Sequence, residues 1–181
     1  MKRIILPLLF VLFTGQLVSA QKVQWMSMTE ALEAQKKEPK KIFVDAYTTW
    51  CGPCKMLDRN TFSNPDVAAY LNENFYPVKF NAEGNDTVVY QDKVFKNPGY
   101  IADSKGRNSM HEFARAMKIS AYPTLVFFDE KGNFIGPIPG YRDPHQLEPI
   151  LKMFAGEDYK KITTNEAYKQ YLEDFENEFG M

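Results

Sequence analysis

Only two cysteines occur in the 181 residues, and they stand together as Cys51-Gly52-Pro53-Cys54. They follow directly on a short apolar run, Ile42 to Tyr47, whose one charged residue is Asp45. Such a run, bounded by polar residues, reads as a buried central strand. A helix is expected to open at the cysteine pair and run to about Arg59. That strand–turn–helix junction constrains the chain most, because it leads into an α/β layered domain. The cysteine count also excludes classes. Two thiols cannot staple a disulfide-dense miniprotein or build a four-thiolate zinc site. The only histidines, His111 and His145, lie far off in sequence, so no metal site is expected. As a structural cross-link, a bridge across four residues would close almost no loop and add little stability.

What remains for the pair is thiol–disulfide exchange. A thiol at a helix N-terminus meets unpaired N–H groups and the positive end of the helix dipole, which favour thiolate. Cys51 is placed there and reads as the nucleophile. Cys54 lies one turn further in and reads as the resolving thiol. Exchange passes through a mixed disulfide, so both are needed for release.

The first 20 residues, MKRIILPLLFVLFTGQLVSA, have the layout of a secretory signal peptide. Lys2 and Arg3 start it, Ile4 to Phe13 is apolar apart from Pro7, and Val18-Ser19-Ala20 is a small-residue cleavage pattern. The apolar run is about half the roughly 20 residues of a spanning helix. Cleavage after Ala20 is therefore expected, with delivery to the periplasm or the exterior. The full chain is 44% hydrophobic and 14% aromatic, which excludes collagen, coiled coil and general disorder. A net charge of -1 leaves no basic footprint for nucleic acid.

Further elements follow from local patterns. Ser27-Met28-Thr29-Glu30 is a capping box that starts a helix through about Lys37. Asn64-Pro65 starts another, through Leu71. Tyr76 to Asn81 reads as a strand. Residues 83–108 read as an insertion with one short helix. Ser109-Met110-His111-Glu112 reads as a second capping box, with a helix through Met117. Leu125 to Asp129 and Phe134 to Ile138 form a hairpin around Glu130-Lys131-Gly132-Asn133. Asp143-Pro144 caps a helix through Phe154, and Thr163 with Glu166 caps a C-terminal extension. In that extension Tyr168, Tyr171, Leu172, Phe175 and Phe179 fall at helical spacing and are expected to dock on the domain. The expected division is 1–20 leader, 21–155 domain and 156–181 helical extension.

Taken together, these segments resemble the thioredoxin superfamily, over Lys41 to Asn81 and Met117 to Phe154. The resemblance rests on Ile42-Phe43-Val44-Asp45, on Trp50-Cys51-Gly52-Pro53-Cys54-Lys55, on Lys79, on Tyr122-Pro123-Thr124 and on Gly140. It implies an α/β thioredoxin-like fold, a central mixed β-sheet flanked by helices, here with the insertion and the C-terminal extension added. It implies that Asp45 is buried near Cys54 and takes its proton, with Lys79 tempering the carboxylate. Pro123 would be cis, and the Tyr122 backbone would pair with an extended substrate strand. Trp50 would shield Cys51 and, with Gly52, Pro53 and Gly140, shape the substrate surface.

Gly-Pro between the cysteines is the reducing pair by the same resemblance. A reductase of protein disulfides is therefore expected, with no cofactor, as a monomer, supplied with electrons by a membrane disulfide-interchange protein. An oxidase or isomerase, and a redox-switched binding or chaperone-like module, are the alternatives. The front segment from Trp25 to Lys40 and the stretch Thr61 to Val67 are similar to secreted thioredoxin-like proteins and to the terminal domain of that membrane protein.

Overall fold

The computed structural model describes residues 22–180 of the chain, and the expected leader lies outside them. Its first helix, α1 (Met28–Lys37), carries the expected capping box: Glu30 N–H donates to Ser27, and the Glu30 carboxylate accepts from the Ser27 N–H. Strand β1 (Lys41–Tyr47) is buried at every position but the last, as a strand covered on both faces must be. Helix α2 (Gly52–Asn60) begins at the cysteine pair. Helix α3 (Pro65–Asn74) is capped by Asn64, whose Oδ1 accepts from the N–H groups of Asp66 and Val67. It leads without a loop into β2 (Phe75–Asn81).

Two short strands follow, β3 (Val88–Tyr90) and β4 (Lys93–Phe95), then α4 (Glu112–Ala116), β5 (Thr124–Phe128), β6 (Phe134–Pro139), α5 (Pro144–Ala155) and α6 (Asn165–Glu173). The main sheet has the order β2-β1-β5-β6. β1 and β2 are parallel, while β5 runs antiparallel to both β1 and β6. This is the mixed sheet expected from the sequence. Strand alternation sends Phe43 and Asp45 to one face, and Ile42, Val44 and Ala46 to the other. On the first face Phe43 packs with Leu57 of α2, Val67 and Leu71 of α3, and Leu147 and Ile150 of α5. On the second, Ile42, Val44 and Ala46 pack with Met28 and Ala31 of α1 and with Phe113 and Met117.

Three local expectations need correcting. Residues 83–108 hold no helix; they hold the β3–β4 hairpin. Its turn residues, Gln91 and Asp92, have φ of 48° and 60°, the paired positive values that match a two-residue loop to strand twist. Helix α4 is capped by His111, not Ser109: His111 Nδ1 accepts from the Phe113 N–H. The Ser109 hydroxyl bonds Asn97, and the Glu112 carboxylate accepts from the Lys96 N–H, so insertion contacts displace the capping box. Helix α6 is capped by Thr164, not Thr163, and ends at Glu173.

The apolar stripe consequently leaves the helix before Phe175 and Phe179. The tail still docks. Phe179 is buried, packing against Tyr70. The buried Glu148 carboxylate accepts from the Glu178 and Phe179 N–H groups. Asn64 donates to the Gly180 carbonyl, and Gly180 N–H to Asp66. Among the described residues no helix is long and apolar enough to cross a membrane.

Candidate functional site

The sulfurs lie where a buried strand hands over to a helix. Cys51 is the N-cap of α2, and its Sγ accepts from the Cys54 N–H at 3.1 Å. The two are joined as a disulfide, and each is at most 2% exposed. In the dithiol form the same N–H, together with the helix dipole, would face a Cys51 thiolate. Gly52 and Pro53 are exposed over the pair.

Asp45 sits on the β1 face that packs on α2. Parallel pairing sets it opposite Lys79 of β2, and Lys79 Nζ meets Asp45 Oδ2 at 2.5 Å. Asp45 is fully buried, and its Oδ1 has no hydrogen-bond partner among the described residues. Burial pushes its carboxyl up from 3.8 to about 6, against the pull of the Lys79 ammonium. The ammonium is walled by Trp25 and Tyr47, whose ring centroids lie 5.1 and 5.0 Å away. Burial opposes its charge, but Asp45 and Asp58 outweigh burial and hold its pKa above the usual value.

Asp58 is a residue that the sequence reading missed. It lies four residues after Cys54 on α2 and also pairs with Lys79. One ammonium therefore joins a buried carboxylate on the sheet to a half-exposed one on the active helix. The i,i+4 spacing from Cys54 was the available clue, since it places both on one helix face.

The Tyr122–Pro123 bond is cis. Pro123 is buried at the start of β5, at the sheet end from which the cysteine loop departs. Its carbonyl accepts from the Gly140 N–H at 2.8 Å. Gly140 has φ of +97°, where a side chain would be strained. The ring of Tyr122 meets that of Trp50 at 5.8 Å, edge to face. Trp50 is 40% exposed, and its Nε1 donates to Glu83. Of the residues singled out in the sequence, Trp50, Cys51, Cys54 and Tyr122 thus gather at one mouth, with Asp45 and Lys79 beneath α2. The two histidines serve elsewhere: His111 caps α4, and His145 bonds the Phe179 carbonyl.

The arrangement supports dithiol–disulfide exchange, with a sulfur at a helix N-terminus and a buried carboxylate on the preceding strand. A profile described as a thioredoxin-like domain matches residues 28–155. The chain is 25% identical over 124 residues to the thiol:disulfide interchange protein DsbD of Pectobacterium atrosepticum, covering 67% of this chain and 18% of that one. It is 25% identical over 135 residues to protein disulfide-isomerase 5-2 of Arabidopsis thaliana, covering 74% and 24%. It spans less than a quarter of either relative's length. A thioredoxin-fold protein from Helicobacter pylori superposes with a TM-score of 0.55 at 18% identity, over 75% of this chain and 81% of that one.

Proposed function

This chain belongs to the thioredoxin-like domain family, and from that membership we propose that it reduces protein disulfides outside the cytoplasm. The observation that carries the reading is the Cys51–Cys54 pair at the N-terminus of α2, directly after the strand that holds the buried Asp45 carboxylate. The Cys51 thiolate attacks one sulfur of a substrate disulfide, breaking that bond and releasing a thiolate that takes up a proton. Cys54 then gives its proton to Asp45 and attacks the Cys51 sulfur. The second substrate thiol leaves, and Cys51 and Cys54 end as a disulfide. Two electrons have passed to the substrate. A donor dithiol must return them, and a membrane disulfide-interchange protein has that chemistry. The Tyr122–Pro123 loop and Trp50 form the surface on which an extended segment would lie.

Direction follows from the pair's poise. Thioredoxin stands at about -270 mV and a strong periplasmic oxidant at about -120 mV, a gap of about 7 kcal/mol at 30 mV per roughly 1.4 kcal/mol. By resemblance, Gly52-Pro53 favours the reducing group for this chain. Similarity to a protein named a disulfide-isomerase favours the isomerase as the second reading. Equilibration of Cys51–Cys54 against glutathione separates them. A potential below about -230 mV is expected, and one above about -180 mV refutes the reductase.

A further inference from the structure

The insertion reaches the residue beside the nucleophile. One oxygen of Glu83, at its start, accepts from Trp50 Nε1 at 2.9 Å and from the Asn108 N–H at 3.0 Å. Both ends of the insertion are thereby tied to the indole. Arg107, next to Asn108, lays its guanidinium 3.9 Å from the Trp50 ring centroid. Arg107 is exposed, and among the described residues no carboxylate oxygen comes within 4.0 Å of its nitrogens.

We propose that Arg107 is a specificity residue, selecting substrate segments that carry a carboxylate side chain next to the cysteine to be reduced. This rests on the reductase reading and names the substrate class for that site. An arginine free in solvent spreads its charge over many rotamers. Stacking on Trp50 holds the planar fork in one place, with N–H edges left for a bidentate partner. Glu83 accepts from Trp50 and Asn108 and makes no ion pair with Arg107, so the N–H edges of the fork stay open. A segment lying against Trp50 and Tyr122 therefore passes the guanidinium at the point where its own cysteine meets Cys51. Lys105 in the same loop carries charge of the same sign, and Glu83 on the indole and Asp103 in the loop carry the opposite sign.

The test uses two disulfide peptides, identical except for Glu or Gln beside the cysteine, and compares their kcat/KM. The wild type is expected to prefer the Glu peptide about two- to fivefold at low salt, with the preference in KM. The ratio should shrink at about 0.5 M salt. Arg107→Ala should bring the ratio to one, Arg107→Glu should invert it, and Arg107→Lys should leave it intermediate. Equal rates in the wild type, or a preference that survives Arg107→Glu, overturn the inference alone. An Arg107→Ala change that raises the Cys51 thiol pKa yet leaves the ratio intact also overturns it, making Arg107 a tuner of the thiolate. If neither peptide exchanges with Cys51, the redox reading itself falls, and the inference with it.

Discussion

Replacing Asp45 by asparagine should stabilise the oxidised protein at neutral pH while crippling its proposed reaction. Asparagine copies the protonated carboxyl in shape and charge, so the gain equals the cost of ionising Asp45 in the folded chain. Its carboxyl titrates near 3.8 ordinarily and near about 6 in the fold, a gap worth on the order of 3 kcal/mol at about 1.36 kcal/mol per decade. Lys79 is not left stranded, because Asp58 remains beside it. The folded pKa is the higher one, so below 3.8 both states are protonated and the variant gains nothing. Between 3.8 and about 6 the wild type loses stability relative to the variant as pH rises. Above that the margin is constant. Urea unfolding of both oxidised proteins from pH 3.5 to pH 8 measures it. The same variant should slow release of the Cys51 mixed disulfide by about 100-fold, the size of a lost general base. A margin that does not change with pH, or an asparagine variant less stable at pH 8, would refute the account. A buried charge of this cost is intelligible where chemistry needs it.

Lys79→Met removes the main group pulling the Asp45 pKa down, so the pH below which exchange slows should move above about 6; a pH–rate profile reads this, and an unmoved or falling midpoint counts against it. Cys54→Ala should leave clients covalently held on Cys51, seen as mixed disulfides on non-reducing gels; an empty trap argues against protein substrates. Truncation after Asp174 removes the Glu178 and Phe179 N–H donors to the buried Glu148 carboxylate. About 2–4 kcal/mol of stability should go with them, and denaturant unfolding with a loss under about 1 kcal/mol would show that the tail does not hold the domain.

Legibility in the sequence followed the range of the interactions. The Ser27 and Asn64 caps were readable because donor and acceptor lie within three residues of each other. Strand β1 was readable because covering both faces leaves an almost unbroken apolar run. Cys51 and Cys54 carry their own spacing, whereas the Asp45–Lys79 pairing spans 34 residues and was reachable only through the family resemblance. The Ser109 pattern shows where local reading fails. Its residues satisfy the capping-box rule, but Asn97 and Lys96 of the insertion compete for the same side chains and win. The β3–β4 hairpin escaped notice because its turn uses Gln91-Asp92 in place of the Asn-Gly or Asp-Gly pair that marks such loops.

The environment of Trp50 carries the largest functional consequence of what was hidden. The family resemblance makes it a shield for Cys51 and part of the substrate surface. In the fold its indole N–H is taken by Glu83, one ring face by Arg107, and Tyr122 packs near-perpendicular to the ring. Only the remainder can receive a substrate side chain, and it is bordered by a cation. The exposed apolar part beside the cysteines therefore lies toward Tyr122, while the insertion side is polar. A minimal domain without residues 83–108 would leave the indole N–H and the face held by Arg107 uncovered, with Tyr122 still against the ring. On the proposed function the insertion would act on the surface that meets the substrate and leave the sulfurs and Asp45, at the β1–α2 junction, to the common chemistry. On this division, changes in the insertion should alter which disulfides are chosen, and changes at Asp45 or Lys79 how fast any of them is exchanged.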